Sequence, residues 1–110
     1  MYVGLDFSPQ EPEESEVIGL DFVYDVDHDE TLLSSTWDMW VVAGVDPNPN
    51  HFEGPSMEVV PIGSSLKTGT VIRIGGLLPG VTYRVRAKVV TTKGNSRNLW
   101  SHIRGVTPNT

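Results

Sequence analysis

Between residues 82 and 92 the side chains alternate strictly: Tyr83, Val85, Ala87 and Val89 fall on one side, and Arg84, Arg86 and Lys88 on the other. A two-residue period with one apolar side predicts a half-buried antiparallel strand. Residues 31–42 alternate as well, with Leu33, Trp37, Met39 and Val41 on one face and Leu32, Thr36, Asp38 and Trp40 on the other. Trp37 is the expected core anchor, so the pleat turns Trp40 away from it. Further strands are predicted at 17–24, where Ile18, Leu20, Phe22 and Tyr24 share a face, and at 57–62, 69–74 and 98–106. In the last of these Trp100 opposes Leu99 and Ser101. No segment carries a helical period of ordinary length, and the class is all-β.

Turn-forming residues separate these strands at sandwich-like spacing. Asp46-Pro47-Asn48-Pro49-Asn50 and Gly54-Pro55 mark a long loop, while Gly63-Ser64-Ser65 and Lys93-Gly94-Asn95 mark tight turns. Residues 25–30 read as a solvated acidic turn. Residues 1–16 read as an extended N-terminal arm preceding a sandwich over 17–110. Pro9 and Pro12 hold the arm's backbone open, Glu11, Glu13, Glu14 and Glu16 hydrate it, and Leu5 and Phe7 supply apolar anchors. Such an arm is expected to add to the sheet edge of a neighbouring molecule; the competing course is back along its own sandwich.

Charge adds the strongest compositional signal. All 14 acids lie between Asp6 and Glu58, and all eight Lys and Arg between Lys67 and Arg104, giving −6 overall. Packing one half on the other pairs much of this internally. The alternative is a molecule with acidic and basic flanks, suited to head-to-tail contact between copies on a symmetric support. The eight bases are spread over about 40 residues without interleaved aromatics and are attached to a strongly acidic half, which makes a poor phosphate footprint, so nucleic acid is not an expected partner. Apolar stretches are too short to cross a bilayer, and no membrane partner is expected. No leader-like segment is read at residues 1–6.

Catalytic, cofactor and metal sites are not expected. Cysteine is absent from the 110 residues, which removes thiol chemistry and disulfides. The acidic run Asp25-Val26-Asp27-His28-Asp29-Glu30 has Glu30 and Thr36 where a calcium loop needs Gly and Glu. His28, His51 and His102 lie in separate segments without ligand spacing. No serine sits in a Gly-x-Ser-x-Gly elbow, and Gly75-Gly76 opens no helix that could hold phosphate. Trp40 and Trp100, turned outward, are candidate interface anchors together with Leu5, Phe7, Arg84, Arg86 and Lys88.

Leu77-Leu78-Pro79-Gly80-Val81-Thr82-Tyr83 runs through a Pro-Gly turn into a strand whose second residue is Tyr. This resembles the tyrosine corner of immunoglobulin-like and fibronectin type III sandwiches, with Leu78, Pro79, Gly80 and Tyr83 as its parts. The resemblance implies an Ig-like, fibronectin type III-like antiparallel β-sandwich in which the Tyr83 hydroxyl donates to upstream backbone. A longer pattern joins Phe7-x-Pro-x-x-Pro-x-Glu, Gly19-Leu20-Asp21-Phe22, the acidic turn, residues 31–37, and Gly80-Val81-Thr82-Tyr83 followed by Thr91-Thr92-Lys93-Gly94. It resembles small tailed-phage fibre-tail adaptor proteins. The resemblance implies a non-enzymatic virion component assembled in the host cytoplasm, in multiple copies, with tail, neck or fibre subunits as partners. A capsid decoration or head-to-tail connector of the same fold, a carbohydrate-binding module using the outward Trp residues, and a spacer module of a larger chain stay open beside it.

Overall fold

The computed structural model describes residues 1–4 and 6–107, and these form six strands and no helix. The strands are β1 (Ser15–Asp21), β2 (Leu32–Ala43), β3 (Met57–Val59), β4 (Gly69–Gly75), β5 (Thr82–Thr91) and β6 (Ser96–Arg104). They make two antiparallel three-stranded sheets, ordered β1-β4-β3 and β2-β5-β6. The inward sides meet in one core. Ile18, Leu20 and Phe22 with Ile72 and Ile74 come from the first sheet and its margin, and Trp37, Tyr83, Val85, Ala87, Val89, Leu99 and Ile103 from the second. Strand β5 is the most regular, because every odd position from Tyr83 to Thr91 is buried. Each large aliphatic or aromatic side chain so buried contributes about 1.5–3 kcal/mol, and the Ala87 methyl about 0.8 kcal/mol. Trp37 anchors the core and also ties the sheets together, its indole N–H donating to Thr70 Oγ1 at 3.1 Å.

Several sequence expectations need correction. The strand over 17–24 ends at Asp21, whose carboxylate accepts the Val23 N–H at 2.9 Å and turns the chain off the sheet. Tyr24 is therefore 97% exposed rather than facing the core with Phe22. In β2 a register shift between Leu32 and Ser34 exchanges the faces of the two leucines: Leu32 is buried and Leu33 exposed. Strand β3 stops at Val59, and Ile62 stands in solvent in the turn closed by Ser64 N–H to Pro61 O. The acidic turn is only partly solvated. Glu30 is buried, its carboxylate accepting the Asp27 N–H at 2.9 Å, the Asn95 amide at 2.9 Å and the Thr91 hydroxyl.

The N-terminal residues follow the second of the two courses considered above. They run parallel to β6 of their own sheet, with Trp100 N–H donating to Met1 O, Val3 N–H to Trp100 O, Phe7 N–H to His102 O, Gln10 N–H to Arg104 O, and Val106 N–H to Gln10 O. Gln10 is 1% exposed, and its Nε2 donates to Ile74 O at 3.2 Å. It thereby clips the edge of the second sheet to the first. The segment had a reason to pack on its own domain that its prolines and glutamates concealed.

Candidate interaction face

The outer side of the second sheet gathers most of the residues singled out from sequence. The pairing of β5 with both neighbours sets Arg84 between Trp40 and His102, Arg86 between Asp38 and Trp100, and Lys88 between Thr36 and Asn98. Paired residues share a face, so these rows form one surface. The Arg84 guanidinium lies 3.9 Å from the Trp100 ring centre and 5.9 Å from that of Trp40, and Arg86 lies 5.3 Å from Trp40. Arg86 also donates to Asp38 Oδ2 at 2.8 Å. Cation–ring contacts contribute about 0.5–1 kcal/mol each when exposed, so the ladder is held in place before any partner arrives. The Nε–H groups of both arginines are buried without a hydrogen-bond partner.

Trp40 and Trp100 are half-buried, and Lys88 is exposed. Phe7, expected at an interface, packs against its own core, and Leu5 lies outside the described residues. Tyr2, Asp6 and His102 join the face without having been expected there. The Tyr2 ring lies 4.8 Å from Trp100 and 5.8 Å from His102, and its hydroxyl donates to Asp6 Oδ1 at 2.7 Å. That bond holds the Tyr2 phenol above its ordinary pKa. The alternation of β6 already contained the signal for His102. Nothing local marked Tyr2, which arrives through a parallel contact with Trp100. A cleft of about 360 Å³ opens at this margin between Asp6, Phe7 and Pro9 on one side and His102 and Arg104 on the other.

The corner at the end of the sheet is built differently from the expectation. Gly80 takes φ of 79°, and Tyr83 is fully buried. Its hydroxyl accepts the Leu78 N–H at 3.1 Å rather than donating to backbone, and donates instead to Asp46 Oδ2 at 2.6 Å. His51 Nε2 lies 2.7 Å from the same carboxylate oxygen, so it carries the proton and donates. The bonds from His51 and Tyr83 hold Asp46 down at about 2, while burial and the Asp46 contact push Tyr83 up to about 12. Asp46 and His51, read from sequence as loop residues, thus pin the long loop to the corner. Phe52 in the same loop packs edge-on against Trp37 at 6.3 Å.

The charge separation is partly consumed within the chain. Lys93 bridges to Asp27 and Asp29 at 3.1 and 2.8 Å, Arg86 pairs with Asp38, and Arg97 Nε donates to the Asp25 carbonyl. Among the described residues no three His, Cys, Asp or Glu side chains converge as a metal ion would require. No protein-family model matches the chain, and no curated protein matches it.

Proposed function

We propose that the chain is an Ig-like β-sandwich that works as a non-enzymatic structural adaptor, contacting protein partners through the outer face of β2, β5 and β6. The observation that carries this reading is the ladder Trp40–Arg84–Trp100 with Tyr2 stacked at its end, since aromatic and Arg side chains held rigid on a sheet lose little entropy when a partner covers them. The Ig-like assignment has its own support. Constant-type immunoglobulin sheets run A-B-E-D and C-F-G, and the order β1-β4-β3 with β2-β5-β6 reproduces B-E-D and C-F-G. Tyr83, at the second position of β5, reaches back to Leu78 as a corner tyrosine does. The N-terminal arm then takes the place of an edge strand on β6.

The virion setting rests on the sequence resemblance to phage fibre-tail adaptors. In that setting the partners are tail, neck or fibre subunits, met in several copies. Imaging of particles labelled at this chain tests it: label at the tail or neck supports the adaptor, and label over the shell supports capsid decoration instead. For the face itself, reversing Arg84, Arg86 and Lys88 to Glu is expected to abolish incorporation. The folded state of the purified variant, checked by its thermal transition, separates lost assembly from lost folding. Normal incorporation of a folded triple variant overturns the assignment of this face. Glycan binding by the isolated domain would move the reading to a carbohydrate module.

A further inference from the structure

The other sheet carries an unused edge. Among the described residues strand β1 pairs only with β4. Phe22 N–H donates to Thr68 O just beyond the strand, and the register continues through Leu20 with Thr70, Ile18 with Ile72 and Glu16 with Ile74. Because antiparallel bonds alternate, these even-numbered residues exchange bonds with β4 while Ser15, Val17, Gly19 and Asp21 turn their backbone N–H and C=O groups outward. The N-terminal segment, which could have covered this edge, is bonded to β6 instead.

On the outer face of the same sheet an apolar groove of about 220 Å³ starts at Gly19 of this edge strand and runs across β4 toward β3. Leu20, Val59, Pro61 and Val71 line it, with Gly19 and Gly69 on its floor. A side chain at Gly19 would press on Val71, and one at Gly69 on Val59 and Pro61, so the glycines keep the groove open. Val17 is 52% exposed next to it. The surroundings are acidic: Glu13, Glu14, Glu16 and Asp21 are all exposed, and Arg73, the one base on these three strands, is directed at Ser15.

We infer that the free edge of β1 accepts an extended strand from a different protein, one with small aliphatic side chains for the groove and Lys or Arg flanking them. Backbone bonds to Val17 and Gly19 give the affinity, and the glutamates set the charge of the partner. A second copy of this chain is a poor occupant, because antiparallel pairing of β1 with itself brings the carboxylates of both copies to one seam. The edge is distinct from the aromatic face and stands or falls separately from it.

The probe is a short synthetic peptide of alternating valine and threonine flanked by lysines. Amide hydrogen exchange on the full chain should show protection of Val17 and Gly19 when it is added. Protection should be lost with a peptide N-methylated at alternate residues, and with a glutamate-flanked version. Val17→Pro removes one outward donor and no bond to β4, so it should keep the thermal transition and abolish the protection; Leu66, outside the edge, serves as an internal reference amide. Unchanged Val17 and Gly19 exchange, equal protection by the N-methylated peptide, or protection in the peptide-free protein that grows with its concentration would each overturn the inference, the last in favour of self-pairing.

Discussion

The two sheets finish their outer strands in opposite ways. On β6 the N-terminal segment supplies backbone partners, and Tyr2 covers Trp100. On β1 no described residue is laid down in this way, and the outward positions in its middle are Val17 and Gly19. The faces differ in the same sense: β2, β5 and β6 present rings and guanidinium groups already stacked on one another, whereas β1, β3 and β4 present a shallow groove kept open by glycines. A filled edge next to a prepared face makes one sheet a rigid platform. A bare edge next to an unfilled groove leaves the other able to take in backbone.

Removing residues 1–12 should show the largest difference. It deletes the bonds along β6, the Phe7 packing and the Gln10 clip between sheets. With about 1 kcal/mol per hydrogen bond and more for the apolar burial, a loss of about 4 kcal/mol is expected, or about 15 °C or more in Tm. A truncated chain that melts with the full one would mean that the segment is detachable, as in the exchange between molecules expected from sequence.

The corner comes next. Tyr83→Phe keeps the packing but strands the Leu78 N–H and takes a donor from Asp46, at a cost of about 1–3 kcal/mol by denaturant unfolding. Its pH dependence is fixed by Asp46, held at about 2 against an ordinary 3.8 by its bonds from His51 and Tyr83. A carboxyl with a lowered folded pKa stabilises fully above its unfolded value and loses that contribution as pH falls toward the folded one. The stability gap between wild type and Asp46→Asn should therefore narrow from about pH 4 down to about pH 2. A constant gap would mean that the Asp46 charge adds nothing to its hydrogen bonds.

How much of this was legible depended on range. The alternation of β5 and the position of Tyr83 after Pro79-Gly80 are local, and they located the central strand and its turn. The opposed faces of Trp37 and Trp40 followed from the pleat alone. The exchange of Leu32 for Leu33 did not, because a single bulge inverts a period-two pattern without altering composition. The burial of Glu30 and the bonds of Asp46 and Gln10 could not be read from sequence, for a common reason. Each is polar in a loop-like sequence, yet each is bonded to a partner distant in the chain: Thr91 and Asn95, Tyr83, and Ile74. Polar side chains announce solvent unless the partner is known.

On the prepared face, Arg84→Met keeps most of the apolar contact with Trp100 and removes the charge. The expected cost is about 0.5–1 kcal/mol, reduced further in high salt only to the extent that the guanidinium is exposed. A much larger loss would mark Arg84 as a structural element of the sheet rather than part of a surface awaiting a partner, and chemical denaturation of the variant distinguishes the two.

The smallest effect is expected on the bare edge, where neighbouring residues should respond in opposite ways. The N–H of Val17 points away from β4, and that of Ile18 points toward it, as the register through Phe22 and Thr68 requires. Proline is tolerated on an edge strand where the missing donor faces solvent, and costs about 1–3 kcal/mol where it removes a ladder bond and leaves a buried carbonyl without its donor. Val17→Pro should thus shift stability by about 0.5 kcal/mol, set by the tighter φ of proline against the ordered strand, while Ile18→Pro, which strands a ladder carbonyl and trims a core side chain, should cost about 3 kcal/mol. Thermal melts of the two variants side by side decide it. Equal losses would mean that the outward groups of β1 are already engaged, and the contrast between a covered and an uncovered edge would disappear with them.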